Sequence, residues 1–203
     1  MISEALSVKQ KFIKRLLDIS LALIGLILSF PFLAILLILT SVDTKSLGLI
    51  AQTRIGQLGK PFKLLKFKTM SDTKQPQNHI TTLNDHRITA FGRILRKTKL
   101  DELPQLWNVL IGQMSFVGPR PDVPGYADQL KGEDKIILSV KPGITGPASL
   151  AFKDEEELLA KKDNPKQYND EVIWPQKVKI NKEYIKNYSF KNDIKYIIQT
   201  IFG

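Results

Sequence analysis

The chain has 203 residues, 43% of them apolar, and 30 Lys and Arg against 20 Asp and Glu leave a formal charge of +10. That length holds one ordinary domain beside a membrane segment, which excludes a multi-span transporter, and the composition excludes collagen and long disorder. With no cysteine, disulfide scaffolds and thiolate sites are ruled out, and His79 and His86 are too few for a His-rich metal centre.

No ionisable side chain occurs from Ile19 to Val42. The core of this stretch, ISLALIGLILSFPFLAILLIL, makes a straight helix of roughly 30 Å, the thickness of a hydrocarbon core. A single span is the simplest reading, and a cleavable signal peptide fits less well because the run is too long. Pro31 argues for a bend, since it lacks an N–H and clashes with the preceding turn, and Gly25 is a second weak point. The flanks are cationic on both sides, with Lys9, Lys11, Lys14 and Arg15 before and Lys45, Arg54, Lys60, Lys63, Lys66 and Lys68 after. The positive-inside rule therefore puts both ends in the cytoplasm, as a re-entrant hairpin would. The chain divides into a membrane unit over 1–42 and a basic domain over 43–203.

Beyond a turn at IGQLGKP, the segment FKLLKFKTM predicts a short strand, and the polar stretch 71–84 a loop. From Asp85, apolar Ile88, Phe91, Ile94 and Leu95 recur on one face of a predicted helix, with Arg87, Arg93 and Arg96 elsewhere. A second helix is expected from Asp101 to Gly112, with Pro104 tolerated in its first turn. SFVGPRPDVPGY and KPGITGP read as rigid loops, the first fixing Arg120 and Asp122, with a short helix over 126–138 between them. The acidic run 154–157 reads as a solvated helix start. At the end of the chain, Phe190, Ile194, Ile197, Ile198, Ile201 and Phe202 predict an amphipathic helix behind Ser189 as N-cap, packing on the core or lying in a membrane interface.

Asp101 and Glu102 are adjacent carboxylates at a predicted helix N-terminus, where the dipole favours the ionised form. There a carboxylate serves as nucleophile or hard-cation ligand, although first-turn acids are also ordinary capping residues. Their company separates the two readings: Arg96 precedes them, and Arg120 follows between two prolines, pre-ordered for bidentate phosphate contacts. Lys66 and Lys68 are either a solvated strand face or further phosphate ligands. The set suggests magnesium-assisted chemistry on a phosphate ester.

At KLDELPQLWNVLIGQMSFVGPRP, positions 99–121, the sequence resembles the bacterial sugar transferase family, the monotopic phosphoglycosyl transferases. FKLLKFKTM, the FGRILRKTKLDEL approach and KPGITG extend the resemblance over essentially the whole chain, and the short length is similar to the minimal members. The resemblance implies an α/β fold, mostly helical with a small sheet: a re-entrant membrane helix followed by a compact cytosolic catalytic domain with interfacial amphipathic helices. It implies transfer of a phosphosugar from a UDP-sugar to polyprenyl (undecaprenyl) phosphate at the cytoplasmic face of the bacterial inner membrane, with release of UMP. Carried over by position, Asp101 is the nucleophile and, with Glu102, the Mg2+ ligand, while Lys66, Arg96 and Arg120 hold phosphate and carboxylate geometry. Membrane lipids are expected partners, nucleic acid is not, and a homo-oligomer is compatible.

Three departures stand out. The family breaks its membrane helix at a Ser-Pro pair, whereas here Phe30 separates Ser29 from Pro31; Gln113 replaces a common acidic residue; and PASLAFKDEEELLA follows KPGITG where many relatives have WAQVNGR. Two rival classes are a nucleic-acid-binding module, for which no motif is seen, and a non-catalytic scaffold of glycan assembly, against which the intact carboxylate pair argues.

Overall fold

The computed structural model describes residues 6–71 and 87–203. Apart from Ser71, the predicted polar loop lies outside the described residues, as do both histidines.

Helix α1 spans Val8–Thr44 and so extends past the apolar run at both ends. Ser7 and Gln10 cap its start reciprocally, with Ser7 N–H on Gln10 Oε1 at 2.8 Å and Gln10 N–H on Ser7 Oγ at 3.3 Å. Lys45 ends it in the left-handed conformation, φ 51°. The expected break at Ser29 and Pro31 does not interrupt the helix, which continues through both residues. Pro31 removes the N–H that would serve the Ile27 carbonyl. The Ser29 hydroxyl donates instead to Gly25 O at 2.6 Å, so the displaced serine does not replace that bond.

Residues Lys14, Asp18 and Ala22 of the first arm and Leu36, Thr40 and Thr44 of the second are buried, whereas Ile27, Leu28, Phe30, Phe32 and Ile35 between them are exposed. Leu36 packs with Phe67 and Leu95, Ala22 with Leu64, Val109 and Met114. Both arms of one helix therefore share the core of the domain that follows.

Strands β1 (Leu49–Ile55) and β2 (Pro61–Phe67) form an antiparallel hairpin in the register Leu49↔Phe67 to Ile55↔Pro61. Only the second was expected. Ala51, Gln52 and Thr53 are exposed, so β1 carries no apolar alternation to read. Helix α2 (Ala90–Lys97) starts later than predicted, at a Thr89 cap whose Oγ1 accepts from Gly92 N–H at 2.8 Å; Ile88 pairs with Met70 instead. Leu95 points inward, but Ile94 is 58% exposed, so the predicted stripe is only partly the buried one.

The helix expected from Asp101 splits. Leu100–Glu102 is a 3-10 turn entered through left-handed Lys99 (φ 57°), and α3 covers only Gln105–Leu110. The reason is Pro104, which cannot donate to the Leu100 carbonyl; Leu103 N–H takes that acceptor at 3.3 Å and tightens the turn.

The two predicted loops carry strands β3 (Ser115–Val117) and β4 (Gly143–Thr145), paired in parallel with Ser115 opposite Gly143 and Val117 opposite Thr145. The helix predicted over 126–138 is instead two 3-10 segments, Ala127–Gln129 and Gly132–Ser139. Then follow α4 (Pro147–Ala151), α5 (Glu155–Ala160), α6 (Pro165–Tyr168), a π turn Asn169–Ile173, α7 (Trp174–Lys186) and α8 (Phe190–Phe202). The fold is thus mostly helical, with two small two-stranded sheets among the described residues.

Helix α8 is where periodicity placed it, but Ser189 gives no side-chain cap. Its Asp193 is buried against Lys14 Nζ (2.5 Å) and Tyr184 Oη (2.7 Å), and Tyr196 and Ile197 lean on the core. Phe190, Ile198, Ile201 and Phe202 remain exposed, so core packing accounts for only part of its apolar face.

Candidate active site

Alternation along the hairpin sorts its cations. Arg54 lies opposite Phe62 and Ile50 opposite Lys66, so Arg54, Leu64 and Lys66 share one face while Lys63 takes the other. Leu64, between Arg54 and Lys66 on that face, packs against Val109 and Met114.

Asn108 holds α3 to this hairpin. Its Oδ1 accepts from Leu65 N–H at 3.0 Å and its Nδ2 donates to Lys63 O at 2.7 Å, pairing the edge of β2 as a neighbouring strand would. The same Nδ2 lies 2.8 Å from Gln113 Oε1, which gives the residue at the unusual position a structural partner. At the other end of α3, Arg15 of α1 donates to Val109 O and Leu110 O, both at 2.7 Å, and so clasps the C-terminal carbonyls of the short helix, of which Val109 O also accepts from Gly112 N–H at 3.0 Å.

The 3-10 turn before α3 presents Asp101 and Glu102 to the cationic face. Lys66 Nζ is 3.1 Å from Glu102 Oε1 and 3.8 Å from Asp101 Oδ2. Arg120 approaches Glu102 in a fork, Nη2 to Oε1 at 2.6 Å and Nη1 to Oε2 at 3.5 Å. Its loop is held by main chain. Gly118 N–H donates to Thr145 O (2.9 Å), Gly143 N–H to Pro119 O (2.8 Å) and Ile55 N–H to Asp122 O (2.9 Å). A Cβ on Gly118 would strike the Lys141 carbonyl, and one on Gly143 or Gly146 would strike the backbone of Gly118. Glycine is required here by close approach of two backbones.

Arg96 comes from the last turn of α2. Its Nε donates to Thr69 Oγ1 at 3.1 Å, while Nη1 is buried with no hydrogen-bond partner among the described residues. Asp101, Glu102, Lys66 and Arg120, read from the sequence, thus converge, and Arg96 lies near enough for its charge to favour the ionised Asp101. Sequence reading gave Arg54 and Arg15 only as flanking charges and did not single out Asn108. Lys68 faces away, to Ser46 Oγ at 2.6 Å.

The two carboxyls behave oppositely. Burial alone would raise Glu102, but Arg120 and Lys66 beside it hold it well below the usual carboxylate range. Asp101, 6% exposed, is raised by burial, with Lys66 opposing. Lys66 is itself lowered by burial, against the pull of Glu102. Glu102 is therefore a fixed anion that neutralises and orients two cations. Asp101 is poorly solvated and, among the described residues, has its one ion pair with Lys66. Desolvation of this kind sharpens a carboxylate as a nucleophile.

Among the described residues no three or more His, Cys, Asp or Glu gather into a metal cluster. Magnesium, however, is commonly bound through one or two carboxylates with the remainder from phosphate and water. Asp101 fits that pattern, since both oxygens of Glu102 face Lys66 and Arg120.

A family model described as bacterial sugar transferase matches residues 9–203. The chain is 38% identical over 196 residues, 93% of its length, to a Klebsiella pneumoniae protein named UDP-glucose:undecaprenyl-phosphate glucose-1-phosphate transferase, and covers 39% of that protein. It is 41% identical over 122 residues to a Bacillus subtilis protein named as a putative undecaprenyl-phosphate N-acetylgalactosaminyl 1-phosphate transferase, covering 60% of this chain and 68% of that one. A second Bacillus subtilis protein, the uncharacterized sugar transferase EpsL, is 32% identical over 93% of this chain and 85% of its own length. The chain therefore spans about two fifths of the first relative and most of the two others.

Proposed function

We propose that this chain, which belongs to the bacterial sugar transferase family, transfers a phosphosugar from a UDP-sugar to undecaprenyl phosphate, the first membrane step of a glycan assembly. The observation that carries the reading is the buried, weakly paired Asp101 beside an ionised Glu102 and a wall of cations. A charged acid flanked by Lys66, Arg96 and Arg120 suits a diphosphate whose phosphorus must be approached by an anion.

In the proposed mechanism an Asp101 carboxylate oxygen attacks the sugar-linked phosphorus. The bond from that phosphorus to the bridging oxygen breaks, and its electron pair leaves with UMP. Undecaprenyl phosphate then attacks the same phosphorus through a phosphate oxygen, breaks the acyl phosphate bond and returns Asp101 as carboxylate, giving undecaprenyl diphosphate sugar. Lys66 and Arg96 steady Asp101 and the transferring group, while Glu102 holds Lys66 and Arg120 at their stations. Asp101 would hold Mg2+, which would supply charge neutralisation as UMP departs. The sugar is left open by the relatives, whose names include glucose and N-acetylgalactosamine.

The acceptor keeps its tail in lipid, which requires the nucleophile at the membrane surface. We place α1 as a re-entrant helix in the inner leaflet of the cytoplasmic membrane, with the domain on the cytoplasmic face. Supporting this are the packing of residues near both ends of α1 on one domain, the exposed apolar side chains between them and the cationic flanks at both ends.

Intact-protein mass spectrometry after mixing with UDP-sugar alone is expected to show an added phosphosugar mass, absent from Asp101→Asn together with UMP release. Full UMP release by that variant would overturn the nucleophile assignment.

A further inference from the structure

Arg54 is a cation that the mechanism above leaves without a task. It sits on the face of the hairpin that bears Lys66, and with Leu64, Lys66, Gln105, Arg120 and Pro121 it lines a small cavity. Its Nη2 donates to Gln52 Oε1 at 3.0 Å, but its Nε is buried and has no acceptor among the described residues. A guanidinium N–H withdrawn from water without an acceptor is costly, unless a ligand supplies one.

The local charge points to the kind of ligand. Arg54 feels Arg120 as a like charge and Asp122 and Glu102 as opposite ones. Glu102 is already committed to Lys66 and Arg120, and Asp122 is shared with Lys177. The cavity wall thus brings together three cations, Arg54, Lys66 and Arg120, and of these Arg54 keeps a buried Nε–H that none of the neighbouring carboxylates accepts. The position narrows it further. Arg54 lies opposite Phe62 near the start of β2 and lines the cavity with Arg120, whereas Arg96 is bonded to Thr69 beyond the other end of that strand and is not part of the lining.

Resting on the proposed reaction, we infer that Arg54 and Arg120 together bind the nucleotide's own phosphate, the one that departs as UMP, while Lys66 and Arg96 attend the phosphorus that Asp101 attacks. Arg54 is thus a donor-binding residue that fixes the diphosphate in line for displacement, its fork presenting Nε–H to a phosphate oxygen.

The test uses the full chain in detergent with Arg54→Gln and Arg54→Lys. UMP alone is expected to raise the unfolding temperature of the wild type, and that shift should be lost in Arg54→Gln while the ligand-free temperature stays near wild type. In turnover assays the KM for UDP-sugar should rise about tenfold or more with the KM for undecaprenyl phosphate unchanged, and Arg54→Lys should recover only part. An unchanged UMP shift and donor KM in Arg54→Gln would overturn the assignment, as would a rise confined to the acceptor KM. A wild type that shows the Arg54-dependent UMP shift without turning over supports this site and defeats the reaction. A wild type without any UMP shift defeats the site.

Discussion

Asn108, 1% exposed, uses one side-chain amide to do what a third strand would do for the hairpin. Asn108→Ala leaves the Leu65 N–H and Lys63 carbonyl facing a dry interior, at about 1–3 kcal/mol for each group left unpaired. Thermal unfolding of the solubilised protein should show a fall of several degrees, and an unchanged transition would show that water reaches that edge. The same scale explains what could be read in advance. Asp101, Glu102 and Arg120 belong to one contiguous stretch whose chemistry is visible residue by residue, and Lys66 lies in a second recognisable run. Arg54 was read only as one flanking charge among several, because its partnership with Lys66 exists through a cross-strand register that no local pattern displays. Asn108 was silent for a related reason, since an asparagine within a helix reveals nothing of the strand it will pair.

Elements with a long period were legible, and short ones were not. The apolar run announced α1, and i, i+4, i+7 spacing announced α8. Strands β3 and β4 have three residues each, too few to show alternation, and glycine and proline around them spelled loops. The dyad's 3-10 turn was read as an α-helix, since Pro104 is equally at home in a first turn. What joins the two legible helices was hidden: Lys14 of α1 and Asp193 of α8, a buried pair with Tyr184 hydrogen-bonded to both. Lys14→Met alone strands Asp193 in the interior and should cost about 3–5 kcal/mol, whereas Lys14→Met combined with Asp193→Leu should recover most of it. Denaturant unfolding of the two variants checks this; equal losses would mean that the pair acts through something other than its charge.

At the scale of the whole molecule, both arms of α1 rest on one domain, and exposed apolar side chains recur on α1, on α3 at Trp107 and on α8. Since the chain has no native cysteine, Lys9→Cys and Leu47→Cys can be labelled singly in intact cells. Both should resist a membrane-impermeant reagent until the cytoplasm is opened. Labelling of one from outside would establish a full crossing and end the re-entrant reading. Sequence alone left the two topologies open, because hydrophobic length is the same for both and Pro31 is tolerated in either.

The membrane segment also differs from a tether. Ala22 and Leu36 belong to the same clusters as Leu64, Val109, Phe67 and Leu95, so cutting at residue 42 would not release a finished body. It would leave a furrow of apolar side chains beside the hairpin that carries Lys66, with α3 deprived of the Arg15 clasp. An unrelated anchor grafted in its place could restore attachment to the bilayer but not the missing wall, so the piece that looks most interchangeable is the one this fold can least exchange.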